Sequence, residues 1–153
     1  MMSQPRKLAA MPVAAREATY LPLATSAARA AMMAAPDERA RVNAETVCEY
    51  AEAVELAASE CWTVLVAGCH SPARRVLIGR LRTLTEATSR YVGLDCWFRA
   101  SSPHRLRVVG AEMSIAEAVT EGDGAEFAEA FVGYDQAVAT AVVSTLNRPA
   151  ARG

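Results

Sequence analysis

The stretch LDCWFRASSPHRLRVVGAEM, residues 94–113, decides whether this chain is purely helical or carries a sheet. Leu94, Cys96 and Phe98 alternate with Asp95, Trp97 and Arg99, and Leu106 and Val108 alternate with Arg105 and Arg107 after a Ser-Ser-Pro-His break. Period two is the signature of a strand with one buried face, so the spacing predicts a β-hairpin over about residues 94–112. Two strands alone are marginal in water, and such a hairpin is expected to lie on helices or to pair with a second copy.

On both sides of that stretch the apolar period changes to three and four. Val47, Tyr50, Ala51, Val54, Ala57, Ala58, Cys61, Val64 and Leu65 form a helical seam, with Glu45, Glu49, Glu52 and Glu60 outside it. Gly68 stands where a C-cap glycine ends such a helix. Ser71-Pro72 then supplies a start signal for a second helix to about Val92, with Leu77, Leu81, Leu84, Thr88 and Tyr91 as its seam and Gly93 as its exit. So short a connection makes the two helices antiparallel neighbours, and the acidic face of one is placed to meet the arginines of the other. Ser114 with Glu117 fits a capping box before a short helix that ends at Glu121-Gly-Asp-Gly124, and Asp123 with Glu126 repeats that logic for a long last helix. Phe127, Phe131, Tyr134, Ala137, Val138, Ala141 and Leu146 give the last helix its apolar stripe. The expected fold is therefore mainly α: an antiparallel helical bundle over residues 37–148 with one β-hairpin. Residues 1–36, rich in Ala and Met and punctuated by Pro5, Pro12, Pro22 and Pro36, read as an N-terminal arm or short helices, and residues 149–153 as a loose tail.

Charge alternates along the chain although the formal net charge is only -1. Residues 1–36 carry four bases against one acid, 37–69 two against seven, 70–112 eight against three, and 113–153 two against six. That balance removes the broad electrostatic footprint of a general nucleic-acid binder. The four cysteines, Cys48, Cys61, Cys69 and Cys96, follow no clear secretory signal and read as reduced thiols, which predicts a cytoplasmic protein. No uncharged run reaches the roughly 20 residues of a membrane span.

Three constellations could carry chemistry. Cys69, His70, Cys96 and His104 could form a zinc site or an activated thiol, but their only close pair is adjacent in sequence, which is awkward for chelation. Glu45, Glu49 and Glu52 share a face but lack the Glu-x-x-His partners of a di-iron bundle. Arg74, Arg75, Arg80, Arg82, Arg90, Arg99, Arg105 and Arg107, with Trp97 and Phe98 among them, could bind a single strand by stacking and phosphate contacts. The acidic helices offer those arginines a partner within the chain instead. The reading therefore assigns no catalytic, cofactor-binding or metal-ligating residue and no cofactor.

The segment from Arg41 to Val92, an Asn-headed amphipathic helix, a break at Ser71-Pro72 and a second amphipathic helix, resembles the phasins, alanine-rich helical proteins that coat polyhydroxyalkanoate granules. That resemblance implies a hydrophobic granule surface as partner and no catalytic residues. Residues and resemblance together lead to the expectation of a non-catalytic helical interaction or assembly protein, homo-oligomeric or bound to a protein partner. Two alternatives stand beside it: a small metal- or thiol-dependent enzyme or sensor using Cys69, His70, Cys96 and His104, and a single-strand nucleic-acid binder using the arginines of 74–107.

Overall fold

The computed structural model describes residues 23–68, 71–100 and 102–148. Six helices account for its regular structure: α1 (Leu23–Met33), α2 (Glu38–Ala67), α3 (Ala73–Val92), α4 (Leu94–Trp97), α5 (Pro103–Glu121) and α6 (Gly124–Leu146). Residues 1–22 of the expected arm, the expected tail 149–153, and Cys69 and His70 lie outside the described residues.

Helix ends follow local chemistry. Asp37 accepts the Ala40 N–H at 2.8 Å and opens α2, a helix of 30 residues and so about 45 Å long. Gly68 closes it at φ 72°, a left-handed conformation that costs glycine nothing, and donates its N–H to the Val64 carbonyl at 2.9 Å. Ser71 Oγ accepts the Ala73 N–H at 3.1 Å at the head of α3. Gly122 ends α5, and Asp123 accepts the Glu126 N–H at 3.0 Å to begin α6.

The β-hairpin expected over residues 94–112 is not formed; among the described residues there is no strand. Leu94–Trp97 is one helical turn, and Pro103–Glu121 is a single 19-residue helix. Ser102 and Pro103, read as part of a turn, are a helix start, with Ser102 as N-cap accepting the Arg105 N–H at 3.3 Å and Pro103 as the first residue, whereas in α3 Pro72 itself is the N-cap. Burial shows why the alternation misled. Leu106 is 62% exposed and Val108 fully buried. In a strand these two would share a face; on a helix they stand about 200° apart. Val108, Ile115, Ala118 and Val119, the buried side chains of α5, recur at helical spacing. Trp97, placed on the outer face of the expected strand, is 2% exposed, and Phe98, placed inside, is 62% exposed. Ser114 and Glu117 consequently lie inside α5 and cap nothing.

The helices pack in an up-and-down order. α2 lies against α1 and α3, α6 against α5, α1 and α3, and α3 also touches α5. Contacts from Leu23 to Asp135 and from Leu81 to Tyr134 place α1 and α3 beside the same helix, so α6 is the central element. Its Tyr134, 1% exposed, donates its hydroxyl to the Leu81 carbonyl at 3.0 Å and lies 2.9 Å from Thr85 Oγ1, which in turn donates to Glu112 Oε1 at 2.9 Å. One polar chain thereby links α6, α3 and α5 inside an apolar core built from Val47, Val54, Leu77, Leu81, Leu84, Val138 and Val142.

The expected pairing of α2 acids with α3 arginines is absent among the described residues. Ion pairs there join Arg29 to Glu52, Arg41 to Glu38 and Glu45, and Arg90 to Glu86. Glu38, Glu45, Glu52 and Glu55 of α2 meet α1 or their own helix, and Arg75, Arg80, Arg82 and Arg90 of α3 are exposed.

Candidate functional site

α1 sits in the valley between α2 and α6 but fills only part of it. With 11 residues it spans about 16 Å beside a helix nearly three times as long. Its buried side chains are small, Ala24, Thr25, Ala27, Ala28 and Ala31, which is what close approach to two flanking helices requires. Asp135 fixes where α1 begins. This α6 carboxylate, 5% exposed, accepts the N–H of Leu23 at 2.8 Å and of Ala24 at 3.0 Å, so a residue 111 positions away does the work of an N-cap. On the α2 side, Thr25 Oγ1 donates to Glu55 Oε2 at 2.6 Å.

On the side of Leu23 toward the start of α6 the valley is open among the described residues. Glu55, Ala58, Ser59 and Trp62 of α2 face Phe127, Ala128, Phe131 and Val132 of α6 across a groove of about 540 Å³. Its floor is aromatic. Phe127 is buried and stacks on Phe131 with ring centroids 6.3 Å apart at 19°. Trp62 is 41% exposed and forms one lip. Its indole packs on the first turn of α6, where a Cβ at Gly124 would stand 3.3 Å from the ring; the missing side chain lets the two helices close there. Val66 and Val132 extend the apolar lip.

The two flanking helices are rich in acids, of which Glu55 lines the groove. From Val42 to Ala67 α2 has Glu45, Glu49, Glu52, Glu55 and Glu60 and no base; α6 has Glu126, Glu129 and Asp135 and no base. Burial pushes the Glu55 carboxyl above its ordinary range, opposed by the Thr25 hydrogen bond and reinforced by the charges of Asp135 and Glu52. Burial likewise raises Asp135, against the pull of the two α1 N–H groups. The groove thus combines apolar surface with one carboxylate, Glu55, whose charge Arg29 of α1 partly offsets.

The residues singled out from sequence are dispersed. Among the described residues no three His, Cys, Asp or Glu side chains converge as a metal cage. Cys48 and Cys61 are buried, and burial raises both thiols, which disfavours the reactive thiolate. Cys96 is half-buried in α4. His104 lies in the first turn of α5 with its Nδ1 buried and unpartnered, and burial, then Arg107 and Arg148, lower its pKa. Of the aromatics among the arginines, Trp97 is buried and offers no stacking face; Phe98 is exposed and lies under the Arg105 guanidinium at 5.9 Å.

Sequence reasoning missed Asp135, Trp62 and the pocket half of α6. Asp135 had a detectable signal: it is the one acid on the apolar face of α6, four residues after Phe131 and three before Val138. Trp62 had none, because an aromatic one position off a seam looks like any surface residue. Comparison of the chain with protein-family models, curated proteins and solved structures gives no match.

Proposed function

We propose that this chain is a non-catalytic interaction protein that accepts an amphipathic, positively charged helix in the groove between α2 and α6. The observation that carries the reading is α1 itself. A short helix already lies in the same valley, held by small apolar side chains, by the Arg29–Glu52 ion pair at 2.9 Å and by carboxylate capping, and among the described residues the valley continues before its start with larger apolar surface and the Glu55 carboxylate. A helix laid in the groove would bury Trp62, Phe131 and Val132 and set a base of its own beside Glu55, the helix-in-groove mode of recognition. None of the described helices is long and apolar enough to cross a membrane.

The test uses a synthetic helical peptide with Leu at i, i+3, i+4 and i+7 flanked by Arg, and a second peptide with Glu in place of each Arg. Trp62 emission reports occupancy, since Trp97 is buried already. The basic peptide is expected to blue-shift and saturate the signal, the acidic peptide to leave it unchanged, and Ala128→Arg, on an exposed groove position, to abolish the response. Equal binding of both peptides, or undiminished binding by the variant, would refute the reading.

A further inference from the structure

The direction of α1 decides where the chain before it goes. Thr25 meets Glu55 and Arg29 meets Glu52, so α1 runs antiparallel to α2. Against α6 it runs parallel: Leu23 and Ala24 meet Asp135, and Ala27 shares a cleft with Ala139, Thr140 and Val143. Traced backward from Leu23, the α1 axis therefore leads to higher numbers on α2 and lower numbers on α6, where Trp62, Phe127 and Phe131 line the groove. Pro22, directly before Leu23, has no N–H to bury, and Tyr20 and Leu21 precede it. From Glu55 to Trp62 the α2 axis advances about 10 Å. An extended chain advances at most about 3.6 Å per residue, so three or more residues before Leu23 reach the far end. Residues 13–21, VAAREATYL between Pro12 and Pro22, bring apolar surface of their own at Val13, Ala18, Tyr20 and Leu21.

We infer that residues 13–21 of the same chain are the resident occupant of the α2/α6 groove, which an outside helix has to displace. The inference rests on the groove reading above and adds how the groove is regulated. Connectivity carries it. A segment tethered beside its site meets that site at an effective concentration on the order of 1 mM, so a contact too weak to hold a separate peptide still covers the groove for much of the time. Trp62, 41% exposed among the described residues, is the side chain that such a cover shields. Three of the six apolar side chains in residues 13–21 are alanines, which bury little area, so a helix with Leu at four positions outcompetes the segment. The apparent Kd of that helix is its intrinsic Kd divided by the fraction of time the groove is free. Residues 13–21 thereby set a threshold that a weakly apolar helix does not pass.

The experiment compares the full chain with the double variant Tyr20→Ser/Leu21→Ser, which removes apolar area without adding charge; an unchanged far-UV circular dichroism spectrum shows that its bundle is intact. Two signals are read: Trp62 emission, with the buried Trp97 as a constant background, and the anisotropy of the labelled basic Leu/Arg peptide. The double variant is expected to emit to the red of the unaltered chain and to bind the peptide at least threefold tighter, the factor for a groove free about a third of the time. Ala128→Arg, at an exposed groove position, is expected to shift emission to the red in the unaltered chain and not in the double variant. The emission of the unaltered chain is expected to be the same across an about 100-fold range of protein concentration, because a tethered cover does not dilute. Three results would overturn the inference: equal peptide affinity in the two chains, emission unchanged by the double variant, or emission of the unaltered chain that reddens on dilution, which would put a second copy in the groove. Saturable peptide binding of equal strength in both chains leaves the groove reading standing and removes only the resident segment. A red-shifted double variant with no peptide binding to either chain does the reverse.

Discussion

Replacing Asp135 by alanine separates the anchoring of α1 from the stability of the bundle. Two α1 N–H groups, those of Leu23 and Ala24, lose a charged acceptor at 2.8 and 3.0 Å. Loss of an N-cap costs about 0.5–2 kcal/mol, and each hydrogen bond to a charged group contributes about 1.5–3 kcal/mol. Against this, removal of Asp135 relieves the burial of a carboxylate whose pKa is raised for that reason. The net is about 2 kcal/mol, close to the roughly 3 kcal/mol that burying four alanine methyl groups gives α1 in the first place. An isolated 11-residue helix has little stability of its own, so the loss falls on α1. Hydrogen exchange measured by peptide mass spectrometry should show Ala27–Met33 amides exchanging about 30-fold faster, the factor that 2 kcal/mol implies, with Val47–Leu65 and Ala137–Val142 changed less than threefold. Equal acceleration across all three regions, or no change in α1, would refute the argument that Asp135 acts as a cap in trans.

Three further outcomes follow from packing and charge. Trp97→Ala should destabilise the chain by about 3–5 kcal/mol in denaturant titration while the far-UV circular dichroism stays helical; a loss under 1 kcal/mol would mean that the α4 turn is not part of the core. Tyr134→Phe should cost about 1 kcal/mol and lower Tm by a few degrees, because the Leu81 carbonyl and Thr85 each lose one partner while Thr85 keeps Glu112; an unchanged Tm would show that the α6–α3–α5 chain contributes nothing. Burial raises Asp135 and Glu55 from ordinary values of 3.8 and 4.5, so in the pH range just above those values the folded chain binds more protons than the unfolded one. Stability from these two groups is greatest below that range and falls as pH rises through it; the fall should be shallower in Asp135→Asn than in the unaltered chain, and an identical pH profile would contradict the assignment.

Sequence was most legible where one residue type controls backbone geometry. Asp37, Gly68, Gly93 and Asp123 mark helix ends as expected, because caps and left-handed glycines act locally. The seams Val47–Leu65 and Leu77–Thr88 were readable because both helices are long enough for the period to repeat. Residues 94–112 failed for the converse reason: three alternations before a proline and two after it are too few to distinguish period two from period 3.6, and the decisive datum, that Leu106 and Val108 face opposite ways, is a tertiary fact. The groove was illegible because it is, among the described residues, a space between helices set by where α1 begins. α6 supplies the cap, Asp135, but the position is fixed by its contact with Leu23 across 112 residues, which neither helix shows alone.

That relation makes groove depth a single-residue parameter. α1 runs alongside α6 from the point where its cap sits, and one helical turn along α6 is about 5.4 Å. An acidic cap four residues earlier, at Phe131, would draw the start of α1 forward by that distance and cover half of the open aromatic floor. A cap four residues later, at Ala139, would lengthen the groove by the same amount. Related chains could therefore alter the reach of this docking surface in turn-sized steps by moving one carboxylate, leaving the bundle that carries it unchanged.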